Sequence, residues 1–183
     1  MITIEIIQDC KKKKQAAQRK VFDCFASYMF NVCFRYMNNR EEAEDMVSLG
    51  FVKVFNAISD FEYRDINSLR AWIKKIMING CLMRLRQLHN FSLVSIDDYD
   101  DQGYDDPGMF QIEAASILET LKQLPPGYQT ILNLFSIEGY THAEIAQMLN
   151  ISEGTSRSQL NKARRQMKEK LNQMNLVYGK KTI

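Results

Sequence analysis

Apolar residues recur at helical spacing along most of the chain, and the breaks between periodic stretches mark its elements. Residues 15–37 carry Val21, Phe25, Tyr28, Met29, Val32, Phe34, Tyr36 and Met37, apolar round much of a helix and therefore central. Asn38-Asn39-Arg40 interrupts that helix. From 41 to 59, Ala43, Met46, Val47, Gly50, Val54, Phe55 and Ile58 keep the period. Glu41, Glu42, Glu44 and Asp45 open this stretch and suit the positive end of a helix dipole. A third helix, over 69–89 and capped by Ser68 or Asn67, turns Trp72, Ile73, Ile76, Met77, Gly80 and Met83 inward. Residues 90–110 lose the pattern. It resumes with Ile112, Ala115, Leu118 and Leu121, stops at Leu124-Pro125-Pro126-Gly127, and returns in Tyr128, Ile131, Leu132, Leu134 and Phe135. The short Ile run between Ile2 and Ile7 is the one strand-like signal, and the tail from about Leu176 reads as loose.

The stretch 141–165 carries the sharpest signal. Thr141 and Glu144 are spaced as a capping box, and Ile145, Ala146 and Leu149 form an apolar stripe behind it. Asn150-Ile151-Ser152 reads as a three-residue turn, with Ser152 placed to cap a second helix. In that helix Leu160, Ala163, Met167 and Leu171 form a narrow apolar line. Thr155, Arg157, Ser158, Asn161, Lys162, Arg164 and Arg165 are read as its outer face. Short polar side chains suit base edges in a major groove, and cations suit phosphates. An ordinary helical hairpin with a solvated basic face would share the composition. It would not require the capping box, the short capped turn and the polar second helix in this order.

Charge is segregated along the chain. Residues 1–90 hold 15 basic against 10 acidic residues, 91–120 none against 8, and 121–183 hold 9 against 4. Two basic blocks that can meet phosphate flank an acidic stretch that cannot. Asp97, Asp98, Asp100, Asp101, Asp105 and Asp106, with Gly103, Pro107 and Gly108, read as a flexible linker over 91–110. The expected fold is therefore all-α: two small helical domains, 1–90 and 111–183, joined by that linker, the second containing the helix-turn-helix.

Several chemistries find no support. Cys10, Cys24, Cys33 and Cys81 form no C-x-x-C pair and have no His at ligand spacing. They read as free thiols, Cys24, Cys33 and Cys81 within the apolar periodicity. His89 and His142 are isolated, His142 reading as solvent-facing, and no nucleophile–base pair or phosphate loop is present. The expectation is a protein that is not an enzyme, with no metal and no cofactor. No apolar run approaches a membrane span and no signal peptide opens the chain. A soluble, cytoplasmic protein without direct membrane insertion is expected.

Two surfaces of the first domain invite function. The outer side of helix 41–59 mixes Asp45, Ser48, Leu49, Val52, Lys53 and Asn56. It reads either as a wider core contact through Leu49 and Val52 or as a docking face for another protein. Lys74, Lys75, Asn79, Arg84 and Arg86 crowd the third helix beside the aromatics of 60–67. Cations beside stacking rings suit single-stranded DNA. Trp72 and Phe61 read as core, which leaves Tyr63 as the stacking residue.

Taken together these residues resemble the extracytoplasmic-function (ECF) sigma factors, two-domain members of the sigma-70 family, over about 15–174. The resemblance rests on Leu124-Pro125-Pro126, Glu138-Gly139-Tyr140, Glu144-Ile145-Ala146, Ile151-Ser152-Glu153-Gly154-Thr155 and Lys162-Ala163-Arg164-Arg165, which look like region 4. Glu41-Glu42-Ala43-Glu44-Asp45-Met46-Val47 and the Trp72, Asn79, Arg84, Arg86 pattern look like region 2. The chain departs from the family's usual residues at Ser48-Leu49 (Gln then an acid), Met83 (Asp) and Ser156 (Val). The resemblance implies a promoter-specificity subunit whose partners are core RNA polymerase and promoter DNA, duplex at −35 and melted at −10. It also implies an anti-sigma factor, often membrane-bound. Asp45, Ser48, Leu49 and Val52 would meet the polymerase. Tyr63, Arg64 and Asn67 would hold a flipped base, with Lys74, Lys75, Asn79, Arg84 and Arg86 along the strand. The acidic stretch would thread a nucleic-acid channel or serve as a solvated tether.

Overall fold

The computed structural model describes residues 2–88 and 114–178. The chain divides between Leu88 and His89 into two compact units, with no strand among the described residues. The acidic stretch 91–110 and Ile112 lie outside the described residues.

The first unit comprises α1 (Ile4–Lys11), α2 (Gln15–Met37), α3 (Arg40–Ala57) and α4 (Ile66–Gln87). The Ile run that reads as strand-like is in fact the start of α1. The Thr3 hydroxyl accepts the Ile6 N–H and caps it, and Ile7 and Cys10, three apart, bury one helical face while Ile4 stays exposed. Asn38 ends α2 in the left-handed conformation at φ 55°, which Asn tolerates through its short polar side chain. Asn39 then caps α3 by accepting the Glu42 N–H at 3.0 Å. The start of α4 differs from expectation. Asp65, not Ser68 or Asn67, is the cap, and the helix begins at Ile66. The Asp65 carboxylate accepts the Ser68 N–H at 2.7 Å, and the Ser68 hydroxyl accepts the Asp65 N–H at 3.1 Å.

α2, α3 and α4 pack against one another, and α1 leans on α2 and on the 3-10 turn Ile58–Asp60. Met29, Val54, Ile73 and Met77 fill the centre, each such side chain worth about 1.5–3 kcal/mol when fully buried. Gly50 lets α3 approach α4: a Cβ there would overlap the Met77 thioether. Phe51 is buried although the helical stripe read from sequence skips it, and its ring packs against Phe22 at 4.8 Å. Three inward assignments are corrected: Met83, Tyr28 and Cys24 are exposed. Each sits on the rim of a stripe that the three-helix core does not reach.

The second unit comprises α5 (Ala114–Lys122), α6 (Pro126–Leu132), a π turn (Asn133–Ile137), α7 (His142–Leu149) and α8 (Glu153–Tyr178). α8 is its spine, with α5, α6 and α7 each packed on it. Pro126, which reads as a stop signal, also opens α6: at the first helical position its fixed φ and missing N–H cost nothing. α8 runs to Tyr178, past the point near Leu176 where a loose tail is expected. No helix among the described residues is long and apolar enough to cross a membrane.

Candidate nucleic-acid and partner interfaces

In the second unit the helix-turn-helix is built as its sequence dictates. Glu144 receives the Thr141 N–H at 2.8 Å, and the Thr141 hydroxyl receives the Glu144 N–H at 3.3 Å. Asn150, at φ 56°, ψ 52°, ends α7 in the left-handed conformation. Ser152 accepts the Thr155 N–H at 3.0 Å at the start of α8. Ile145, Ala146 and Leu149 of α7 and Leu160 and Ala163 of α8 are all buried, and the two helices pack on each other.

Of the residues read as the outer face, Arg157, Arg164 and Arg165 are exposed and Ser158, Asn161 and Lys162 are half-buried. Arg157, Asn161, Arg164 and Arg165 fall on one helical face. Thr155 is the exception and is corrected: it is buried, its hydroxyl 2.8 Å from Ser152 Oγ. The apolar line of α8 is wider than the hydrophobic letters indicate, because Thr155, Ser156 and Gln159 also turn inward. Arg157 pairs with Glu153 at 3.1 Å across one helical turn.

His142 is a second correction. It is half-buried rather than solvent-facing, with Nδ1 2.9 Å from Ser156 Oγ and its ring stacked on Phe135 at 4.5 Å and 25°. Burial, then Arg157 and Arg164, hold its pKa below the usual imidazole value, while Glu153 opposes them. The Arg164 guanidinium lies over the same Phe135 ring at 5.5 Å.

In the first unit Leu49 and Val52 are 55% and 57% exposed. That removes the wider-core reading and leaves an apolar outer face on α3. Asp45 is exposed, and the Ser48 hydroxyl donates to the Glu44 carbonyl at 3.0 Å. Beside this face a groove between α3 and α4 is lined by Glu42, Asp45, Leu49, Lys53, Met83 and Arg84. Arg84 is fixed in it by a two-point bond to Glu42, Nη2 to Oε1 at 2.8 Å and Nε to Oε2 at 3.0 Å. The pair holds the Glu42 carboxyl below its usual pKa and raises the guanidinium's. The Arg84 fork thus already grips a carboxylate beside the α3 face.

The remaining cations stay apart from that groove's lining. Lys75, Asn79 and Arg86 are exposed and Lys74 is half-buried on α4, with Arg64 and Asn67 exposed at its start. Arg86 Nε donates to the Leu82 carbonyl at 3.3 Å. Phe61 is buried and stacks on Trp72 at 4.6 Å. The Tyr63 ring is half-buried and its hydroxyl donates to the Ile2 carbonyl at 3.2 Å, which anchors the loop to the N-terminal segment. Sequence reasoning missed Arg70, whose guanidinium stands 5.8 Å from the exposed Tyr28 ring. Tyr28 reads as core, so nothing in the sequence pointed to that pairing. No cluster of three or more potential metal ligands occurs among the described residues.

Residues 21–90 match the sigma-70 region 2 model and residues 114–167 match the sigma-70 region 4 model. The chain is 26% identical over 152 residues to the ECF RNA polymerase sigma factor SigE of Mycolicibacterium smegmatis, covering 80% of this chain and 58% of that protein. It is 26% identical over 179 residues to the ECF sigma factor SigW of Bacillus subtilis, covering 90% and 94%. Among solved structures, the fold resembles RpoE of Bartonella quintana, in complex with the anti-sigma factor NepR, at a TM-score of 0.51 and 18% identity, covering 84% of this chain and 96% of that one. CnrH in complex with the cytosolic domain of CnrY is similar at a TM-score of 0.50 and 20% identity, covering 91% and 95%.

Proposed function

Because the chain belongs to the sigma-70 family, as an extracytoplasmic-function member, it is a sigma factor that directs RNA polymerase to promoters, and we propose how its surfaces divide that work. The first unit, 1–90, docks on core polymerase through Asp45, Ser48, Leu49 and Val52, whose apolar exposure suits the centre of a protein interface. Arg84, held by Glu42 in the adjoining groove, belongs with this surface. Arg64 and Asn67 capture an unpaired base of the −10 element, with Tyr63 anchoring their loop. Lys74, Lys75, Asn79 and Arg86 follow the strand. Capturing unpaired bases offsets an opening cost of about 1.4 kcal/mol per base-pair step.

The second unit, 111–183, reads duplex DNA at −35 with α8. Arg157, Ser158 and Asn161 face base edges, while Lys162, Arg164 and Arg165 meet phosphates. Residues 91–110 are the linker between these functions. The protein acts in the cytoplasm beside polymerase and adds no covalent step of its own. An anti-sigma factor restrains it, a reading supported by the similar fold of RpoE, which was solved bound to the anti-sigma factor NepR.

The observation that carries this reading is the order of the two surfaces along one chain. An exposed apolar face precedes a basic helix and a capped helix-turn-helix. Gel filtration with core polymerase followed by run-off transcription tests it. Co-elution and discrete transcripts are expected. Free migration of the chain and no transcript above core alone would reject the reading.

A further inference from the structure

The recognition helix is held by a polar strut to the start of α7. Ser156 is fully buried one turn into α8. A buried hydroxyl needs a partner, and it has one: His142 Nδ1 at 2.9 Å. His142 is the first residue of α7, so the bond joins the far end of α7 to α8. The covalent link between the helices is the three-residue turn at the other end of α7, roughly 12 Å away for an eight-residue helix. Turn, helix and strut form a triangle, and its third side, anchored at the far end of α7, resists a change of interhelical angle.

The same imidazole stacks on Phe135 at 4.5 Å, and Phe135 lies under the Arg164 guanidinium at 5.5 Å. One side chain therefore touches the group that orients the helix and the ring that carries one of its exposed cations. Resting on the assignment of α8 to the −35 duplex, we propose that His142 is a positioning residue for promoter recognition. It sets the angle of α8 through Ser156 and presents Arg164 to DNA through Phe135.

The test uses the full chain assembled with core polymerase. The probes are a duplex promoter fragment identified by mapping transcript starts and the same fragment with its −35 element scrambled. The readout is the ratio of the two affinities, beside the melting temperature of each variant. His142→Ala and Ser156→Ala are each expected to lower the ratio by about tenfold, and the double variant to lower it no further, as coupled residues do. His142→Asn, which keeps a hydrogen-bonding group near the Nδ1 position, should recover part of the loss. His142→Phe keeps an aromatic face for Phe135 but loses the bond, so it should remain folded with a reduced ratio. Wild-type ratios in His142→Ala and Ser156→Ala, with lowered melting temperatures, would reduce the pair to packing and overturn the proposal. A wild-type complex that binds both fragments equally would reject the assignment of α8 itself, and the positioning role with it.

Discussion

At the scale of single residues, the telling side chains are those whose partner lies far away in sequence. Arg84 reads as one more cation on a basic helix until Glu42, 42 residues earlier, is placed against it. Arg84→Ala should therefore weaken binding to core polymerase more than binding to a single-stranded −10 oligonucleotide, and Arg86→Ala should do the reverse. Fluorescence anisotropy with the two ligands separates them; the same pattern for both variants would put Arg84 back among the DNA contacts. His142 makes a prediction about acid. Its pKa in the fold lies below the ordinary 6.5, so between those values the unfolded chain binds more protons than the folded one. The stability it contributes is complete above the ordinary value and falls as pH drops toward the folded one. The charges acting on it are all on α8: Arg157 and Arg164 oppose protonation, Glu153 favours it, and the π turn presents the uncharged Phe135. The melting temperature of the second unit should decline from about pH 6.5 downward, and His142→Phe should flatten that decline. A profile identical in both proteins would show that other groups govern the acid limb.

At the scale of elements, α3 presents the apolar surface best suited to a partner. Leu49 stands more than half exposed beside a groove that ends in a fixed ion pair. Leu49 is more than half exposed, so Leu49→Asp should alter stability by only about 0.5 kcal/mol. It should weaken core binding by about tenfold or more if Leu49 sits at the interface centre. Equal affinity in a pull-down against core polymerase would move the docking face elsewhere. Elements were the most legible level of this sequence. Long periodic stretches announce α2 and α3, and the capping box and the Asn150–Ser152 turn announce α7 and α8. What was not legible has physical causes. Asp65 outcompetes Ser68 and Asn67 as a cap because a carboxylate accepts the Ser68 N–H more strongly, a choice that spacing alone leaves open. α1 is helical because tertiary burial of Ile7 and Cys10 overrides the β-branched preference of its isoleucines. Thr155, Ser156 and Gln159 escape a hydrophobic count because they are polar, yet they pack inside.

At the scale of the whole molecule, the cysteines report how the first unit is closed. Cys10, Cys33 and Cys81 are buried and Cys24 is exposed. Burial pushes the Cys10 thiol up to about 11, and a thiol hydrogen bond with Cys33, together with burial, raises Cys81. Thiols so placed are poor nucleophiles at neutral pH. Brief iodoacetamide treatment of the native protein should add one label, at Cys24, with the other three appearing only in denaturant. Early labelling of Cys33 or Cys81, read by mass spectrometry, would mean that α2 and α4 part readily. The packing within this unit carries one more consequence, for synthesis. α2, α3 and α4 follow one another in the chain and pack directly on their neighbours in sequence, and their loop is tied back to Ile2. Such local topology folds quickly, on microsecond to millisecond timescales for helical domains, whereas a ribosome adds about 5–20 residues per second. The first unit can thus be folded on the ribosome seconds before α8 has been translated.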